Sequence, residues 1–212
     1  MKLDRRKLLL YAVTDRAWLD KSTLLDKVKA AIDGGVTFVQ LREKHISDSQ
    51  MLELALSLLP LCRRQGVPFV INDNVKVALK SGADGVHIGQ DDMALKEARR
   101  QLGDDKIIGV SAHTVDEAVA AEKGGADYLG VGAVFGTSTK ADAGRISFKT
   151  LSEIVKAVSI PVVAIGGINA ANILQLKGSG ICGAAVVSAL FSKPDVAASA
   201  SELKAKLKTV VA

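Results

Sequence analysis

Eight times along this chain a short β-type run gives way to a stretch with helical apolar spacing, and nothing else in the sequence limits the fold as much. Leu8–Thr14, Thr37–Arg42, Phe69–Asn72, Gly85–Gly89, Ile107–Ala112, Tyr128–Phe135, Val162–Ile168 and Ala184–Ala189 read as strands. Between and after them, Ser22–Asp33, Asp48–Gln65, Val75–Ser81, Ala94–Leu102, Val115–Lys123, Phe148–Ala157, Ala170–Leu176 and Pro194–Val210 carry apolar residues three and four apart, as Leu52, Ala55, Leu56 and Leu59 do. Glycines stop the helices at Gly34-Gly35, Gly66, Gly82, Gly103, Gly124-Gly125 and Gly178. Strictly alternating strands and helices imply a parallel sheet with helices outside. Eight such units in 212 residues, with no linker between them, fit closure into a single-domain (β/α)8 barrel spanning residues 1–212. An open doubly wound sheet is the alternative. The echo of GGVTFVQ, SGADGVHIG and GGADYLGVG favours repeated units.

Composition removes several classes. At 48% hydrophobic and 24% charged the chain has a globular balance, which excludes disordered and fibrous proteins. Only eight residues are aromatic (one Trp, two Tyr and five Phe), too few for rows of base-stacking side chains, so no nucleic-acid partner is expected. The formal charge of +5 points to anionic partners or to plain solubility. Lys2, Arg5, Arg6 and Lys7 form the densest basic patch, in an N-terminal segment, 1–7, expected to be mobile. Cys62 and Cys182 are far apart and outside any CxxC pair, so they read as small buried hydrophobes in a reducing compartment. No apolar run reaches the ~20 residues of a membrane span, and the short run after Lys7 is stopped by Asp15 and Arg16. The expected setting is the cytoplasm, with no membrane partner.

In a barrel of this kind chemistry sits at the C-terminal ends of the strands. Strand two ends Gln40-Leu41-Arg42-Glu43-Lys44, and alternation puts Gln40, Arg42 and Lys44 on one face. Two cations and an amide there suit an anionic ligand, Arg through its fork and Lys as a point charge. Strands three and four are followed by Asp73 and Asp92. Two carboxylates on neighbouring strands can share one divalent cation, and Mg²⁺ takes one or two carboxylates plus substrate phosphate oxygens. The competing reading is that Asp73 and Asp92 cap the helices that follow. His87 lies within its strand and reads as a hydrogen-bonded core residue rather than a catalyst. Ser111, ending strand five, can donate to a phosphate. After strand six comes a dense donor loop, Thr137-Ser138-Thr139-Lys140, without the order of a Walker loop. Gly166-Gly167 after strand seven and Val187-Ser188 after strand eight lie where barrels often bind phosphate through backbone N–H groups. Cations, a pair of acids and a separate phosphate nest around one mouth describe an enzyme acting on a diphosphate ester and a second phosphorylated molecule.

Tyr11-Ala12-Val13-Thr14-Asp15, Gln40–Lys44, Asn72-Asp73, His87–Asp92, Gly109-Val110-Ser111, Gly125–Tyr128, Thr137–Ala143 and Gly166-Gly167-Ile168 together resemble the thiamine phosphate synthase family, in order from about Leu8 to Leu190. The joint occurrence of QLREK, ND, HxGQxD and TxTKxDA is what makes the resemblance specific. It implies a (β/α)8 barrel and a transferase of thiamine biosynthesis. That enzyme joins 4-amino-2-methyl-5-(diphosphomethyl)pyrimidine to 4-methyl-5-(2-phosphoethyl)thiazole, or its carboxylated tautomer with loss of CO2, and releases pyrophosphate. Carried over by position, Gln40, Arg42, Lys44, Asn72, Ser111 and Lys140 would hold the pyrimidine diphosphate. Arg42, Lys44, Ser111 and Lys140 would act in catalysis, and Asp73 and Asp92 would bind Mg²⁺. Thr137, Ser138, Thr139, Gly167, Val187 and Ser188 would hold the thiazole phosphate. Two positions depart from the family pattern: Ser147 stands where members commonly have Gly, and Gly136 where many have Pro.

Three rival readings make different demands. A thiazole tautomerase shares the barrel but is expected to lack the two acids and the lysine of the TKxDA run. A non-catalytic phosphate-binding barrel needs only one anion site. A nucleic-acid-binding protein predicts a continuous basic stripe, whereas these cations sit in chemically specific loops. The residues leave the oligomeric state open, a homo-oligomer included.

Overall fold

In the computed structural model, which describes residues 3–19, 22–90, 92–136 and 145–212, the eight strands close into one parallel barrel. They are β1 (Leu10–Val13), β2 (Phe38–Leu41), β3 (Phe69–Asn72), β4 (Gly85–Ile88), β5 (Ile107–Ala112), β6 (Tyr128–Val131), β7 (Val162–Ile165) and β8 (Gly183–Val186). Neighbours in sequence pair throughout, and β8 returns to β1 through Tyr11 against Ala185. Most of these strands are buried along their whole length, because the helices cover one face and the barrel interior the other.

Period-two alternation then sorts the side chains into two cores. Leu10, Ala12, Val39 and Leu41 point outward and pack with the helices. Tyr11, Val13, Phe38, Val70, Tyr128, Val163 and Ala185 point inward and fill the barrel. The helices are α1 (Leu24–Asp33), α2 (Asp48–Arg64), α3 (Val75–Ser81), α4 (Leu95–Leu102), α5 (Val115–Lys123), α6 (Phe148–Ala157), α7 (Ser188–Phe191) and α8 (Val196–Val210). Thr23 and Ser47 start α1 and α2 with reciprocal capping boxes. Ser147, the departure noted above, caps α6 by accepting from Thr150 N–H.

Several expectations are corrected. The seventh helix, expected over Ala170–Leu176, is only a 3-10 turn at Ile173–Leu176. Asn169 and Asn172 divert the backbone: Ala171 N–H donates to Asn169 Oδ1 and Asn169 N–H to Asn172 Oδ1, local bonds that compete with a helix. The sixth and seventh strands stop at Val131 and Ile165, before Gly132 and Gly166, and the eighth stops at Val186, so Ser188 opens α7 instead of ending a strand. On α2 the buried stripe is Met51, Ala55, Leu58, Leu59 and Cys62, while Leu56 stands 51% exposed. Ahead of β1, Arg5–Leu8 form a 3-10 turn capped by Asp4.

Cations gather at the N-terminal end of the barrel, where helices finish with unpaired carbonyls. Lys7 Nζ donates to Gly66 O (2.7 Å), Arg63 to Gly82 O (2.9 Å) and Lys106 Nζ to Ala83 O (2.6 Å). Arg99 joins four groups there: the carbonyls of Gly103, Lys106 and Gly125, and the Asp127 carboxylate. Among the described residues no helix is long and apolar enough to cross a membrane.

Candidate active site

The opposite end of the barrel opens into a cleft with a cavity volume of about 190 Å³. Its wall includes Gln40, Arg42, Lys44, Asn72, Asp73, Asp92, Ser111, Gly167, Val187 and Ser188, so ten residues singled out from the sequence share one cavity. Thr137, Ser138, Thr139 and Lys140 lie outside the described residues.

The cationic wall rests on an internal brace. Arg42 N–H donates to Thr14 Oγ1 (2.9 Å), and the Thr14 hydroxyl stands 3.0 Å from Glu43 Oε1. Arg16 Nε donates to Glu43 Oε2 at 3.0 Å. Glu43 is buried behind β2, and burial pushes its carboxyl above the ordinary value despite the bonds from Thr14 and Arg16. Leu41 and Glu43 therefore anchor the strand end from behind while Gln40, Arg42 and Lys44 face the cleft, as alternation predicts.

The acids are not helix caps. Asn74, not Asp73, caps α3 by accepting from Val77 N–H, and α4 has Ala94 at its start with no side-chain cap. Asp73 instead sits in a left-handed backbone conformation, φ 60°, which aims its carboxylate at the cleft wall. Asn72 Nδ2 donates to it at 2.5 Å, and Asp92 Oδ2 accepts from Gly89 N–H at 2.6 Å. The Asp73 carboxyl is pushed up to about 7, first by loss of water and then by the Asp92 carboxylate within hydrogen-bonding reach; Asn72 and Arg42 pull the other way. Two carboxylates that crowd each other this way form a seat for a cation. Among the described residues no three His, Cys, Asp or Glu side chains converge; the site offers two carboxylates and an open cleft where ligand oxygens could join them. That donor set fits Mg²⁺.

Across the mouth, β7 runs into Gly166 and Gly167, with φ of 99° and 65°. Both are needed for packing as well as for the turn. A Cβ on Gly167 would stand 2.2 Å from Gly136 O, and one on Gly166 would stand 2.5 Å from the Ala133 Cβ. Val187 and Ser188 line the same side, at the start of α7.

The cavity floor holds groups that the sequence reading did not assign. Gln40 Nε2 donates to Tyr11 Oη, the Tyr11 and Tyr128 hydroxyls meet at 2.7 Å, Tyr128 Oη lies 3.0 Å from His87 Nδ1, and His87 Nε2 lies 3.0 Å from Ser111 Oγ. His87 is hydrogen-bonded and buried, as read, yet it also lines the cleft. The available signal was alternation, which turns Tyr11, Gln40, His87, Ser111 and Tyr128 inward among the apolar residues of the barrel interior.

The model of the family described as thiamine monophosphate synthase matches residues 10–190. A thiamine-phosphate synthase from Ruminiclostridium cellulolyticum is 51% identical over 194 residues, 92% of each chain. One from Chloroflexus aurantiacus is 52% identical over 197 residues, 92% of this chain and 91% of its own. Among solved structures, a thiamine phosphate pyrophosphorylase from Pyrococcus furiosus superposes with a TM-score of 0.91 at 40% identity, covering 98% of this chain and 99% of that one.

Proposed function

The chain belongs to the thiamine monophosphate synthase family and is an enzyme of that type, and from this premise we propose which substrates it joins and how. It condenses 4-amino-2-methyl-5-(diphosphomethyl)pyrimidine with 4-methyl-5-(2-phosphoethyl)thiazole, or with the carboxylated tautomer and loss of CO2. The carbon–oxygen bond to the diphosphate breaks, its electron pair leaves with pyrophosphate, and the thiazole nitrogen closes on the methylene carbon. The observation that carries this reading is the opposition within one cavity: Arg42, Lys44, Asp73 and Asp92 on one wall, Gly167, Val187 and Ser188 on the other.

Gln40, Arg42, Lys44, Asn72 and Ser111 hold the diphosphate arm, and Lys140 is assigned to it by its place in the sequence motif. Asp73 and Asp92 hold Mg²⁺, which when bound neutralises charge on the departing pyrophosphate. Arg42 and Lys44 do the same from fixed positions and so favour the transition state over the bound ground state, and Lys140 adds a third cation. Gly167, Val187 and Ser188 orient the second phosphate, and Thr137, Ser138 and Thr139 are assigned to the same ligand by their sequence motif. Positioning supplies much of the rate, because the attacking nitrogen needs alignment more than a base. The substrates' setting is taken to be the cytoplasm.

The test is direct. Incubation with both substrates and Mg²⁺, then oxidation of any thiamine phosphate to fluorescent thiochrome, should give product that disappears with EDTA. Absence of product with either form of the thiazole would overturn the assignment.

A further inference from the structure

Five polar side chains cross the barrel floor in one unbroken line, from Gln40 on β2 to Ser111 on β5, and both ends face the cleft. The middle of the line is built with care for space. Gly109 faces the Tyr128 ring, and a Cβ there would lie 2.1 Å from Tyr128 Cζ. A Cβ on Gly130 would lie 3.0 Å from His87 Cε1. Phe38 wedges against both tyrosines, with ring centroids 4.6 Å and 5.6 Å away. Burial holds both tyrosines well above their ordinary pKa, so each keeps its single hydrogen.

That single hydrogen decides the polarity of the line. Gln40 donates to Tyr11 Oη, and Tyr128 Oη, 2.7 Å away, is the acceptor that satisfies the buried Tyr11 hydrogen. With Tyr128 accepting from Tyr11, its own hydrogen is available to His87 Nδ1, 3.0 Å away. A neutral imidazole that accepts at Nδ1 carries its hydrogen on Nε2, which then donates to Ser111 Oγ. The Ser111 oxygen is occupied as an acceptor, and its hydrogen is left to turn into the cleft.

We infer that Tyr128 and His87 are positioning residues, which with Tyr11 and Gln40 form a one-way hydrogen-bond chain that presents the Ser111 hydroxyl as a donor to an anionic oxygen of the bound diphosphate. The chain's polarity stands on the fold alone; its ligand rests on the function proposed above. With the opposite polarity, Ser111 would spend its hydrogen on His87 and show lone pairs to the anion, a repulsive arrangement.

The experiment combines the ¹⁵N resonances of His87 with calorimetric titration of magnesium pyrophosphate. In the wild-type protein His87 should be the neutral Nε2–H tautomer. Tyr128→Phe removes one oxygen and should shift His87 toward Nδ1–H, with magnesium pyrophosphate bound about tenfold more weakly. Adding Tyr128→Phe to Ser111→Ala should change affinity less than twofold, because the effect passes through Ser111. His87→Gln, which keeps an amide donor near the Nε2 position, should bind more tightly than His87→Leu. A wild-type His87 protonated on Nδ1 overturns the chain, and this measurement needs no variant to fold. Unchanged affinity in a folded Tyr128→Phe protein overturns its role in binding. A wild-type protein that ignores magnesium pyrophosphate but carries Nε2–H instead overturns the diphosphate assignment, and the ligand of this proposal with it.

Discussion

At the scale of single residues, the cleft is dominated by Asp73 and Asp92. The ordinary carboxyl value of 3.8 becomes about 7 for Asp73 in the folded protein. The folded state therefore binds more protons than the unfolded chain between those values, and stability falls as pH rises from about 4 to about 7, then levels off. Thermal unfolding of metal-free protein across that range should show this slope, and Asp92→Asn should make it shallower without abolishing it, because loss of water is the larger cause. An unchanged slope in Asp92→Asn would show that the two carboxylates do not crowd each other. At pH 7.5, magnesium pyrophosphate at a hundred times its Kd should raise Tm by roughly 5–10 °C, from about 2.7 kcal/mol of linkage. Much of this wall was legible beforehand. Gln40, Arg42 and Lys44 follow from period-two alternation, and the acids follow from their place after two neighbouring strands. The line through Tyr11 and Tyr128 was not legible, because the two hydroxyls are 117 residues apart and meet only once the barrel has closed.

Elements were legible where one physical signal acted alone. Fully buried strands read as apolar runs, and β3 and β5 agree with expectation at both ends. Strand ends read too long where glycines freed the chain before the apolar pattern ended, as after Val131 and Ile165. The seventh helix failed because Asn169 and Asn172 bond locally, a choice that apolar spacing does not report. Helix caps give a test at this scale. Ser147→Ala removes the α6 cap and should cost about 1 kcal/mol in chemical denaturation, whereas Ser147→Gly should cost only a few tenths. Equal losses for both would mean that the hydroxyl contributes nothing to the start of α6.

The whole molecule divides into two ends with different work. Lys7, Arg63, Arg99 and Lys106 bond backbone carbonyls at the N-terminal end. Arg99→Met should therefore lower stability by about 2 kcal/mol, a fall of roughly 4–8 °C in Tm, and leave KM for both substrates within twofold. A large change in KM would show that the two ends are coupled. The other end carries the opposite liability. Asp73 holds a backbone conformation that glycine adopts freely, beside a carboxylate that repels it. Asp73→Gly should consequently melt higher than the parent in metal-free buffer at pH 7.5 while losing at least a hundredfold in turnover. A population of variants sorted for heat resistance alone would discard this aspartate early, so the residue persists only under selection for what the cleft makes.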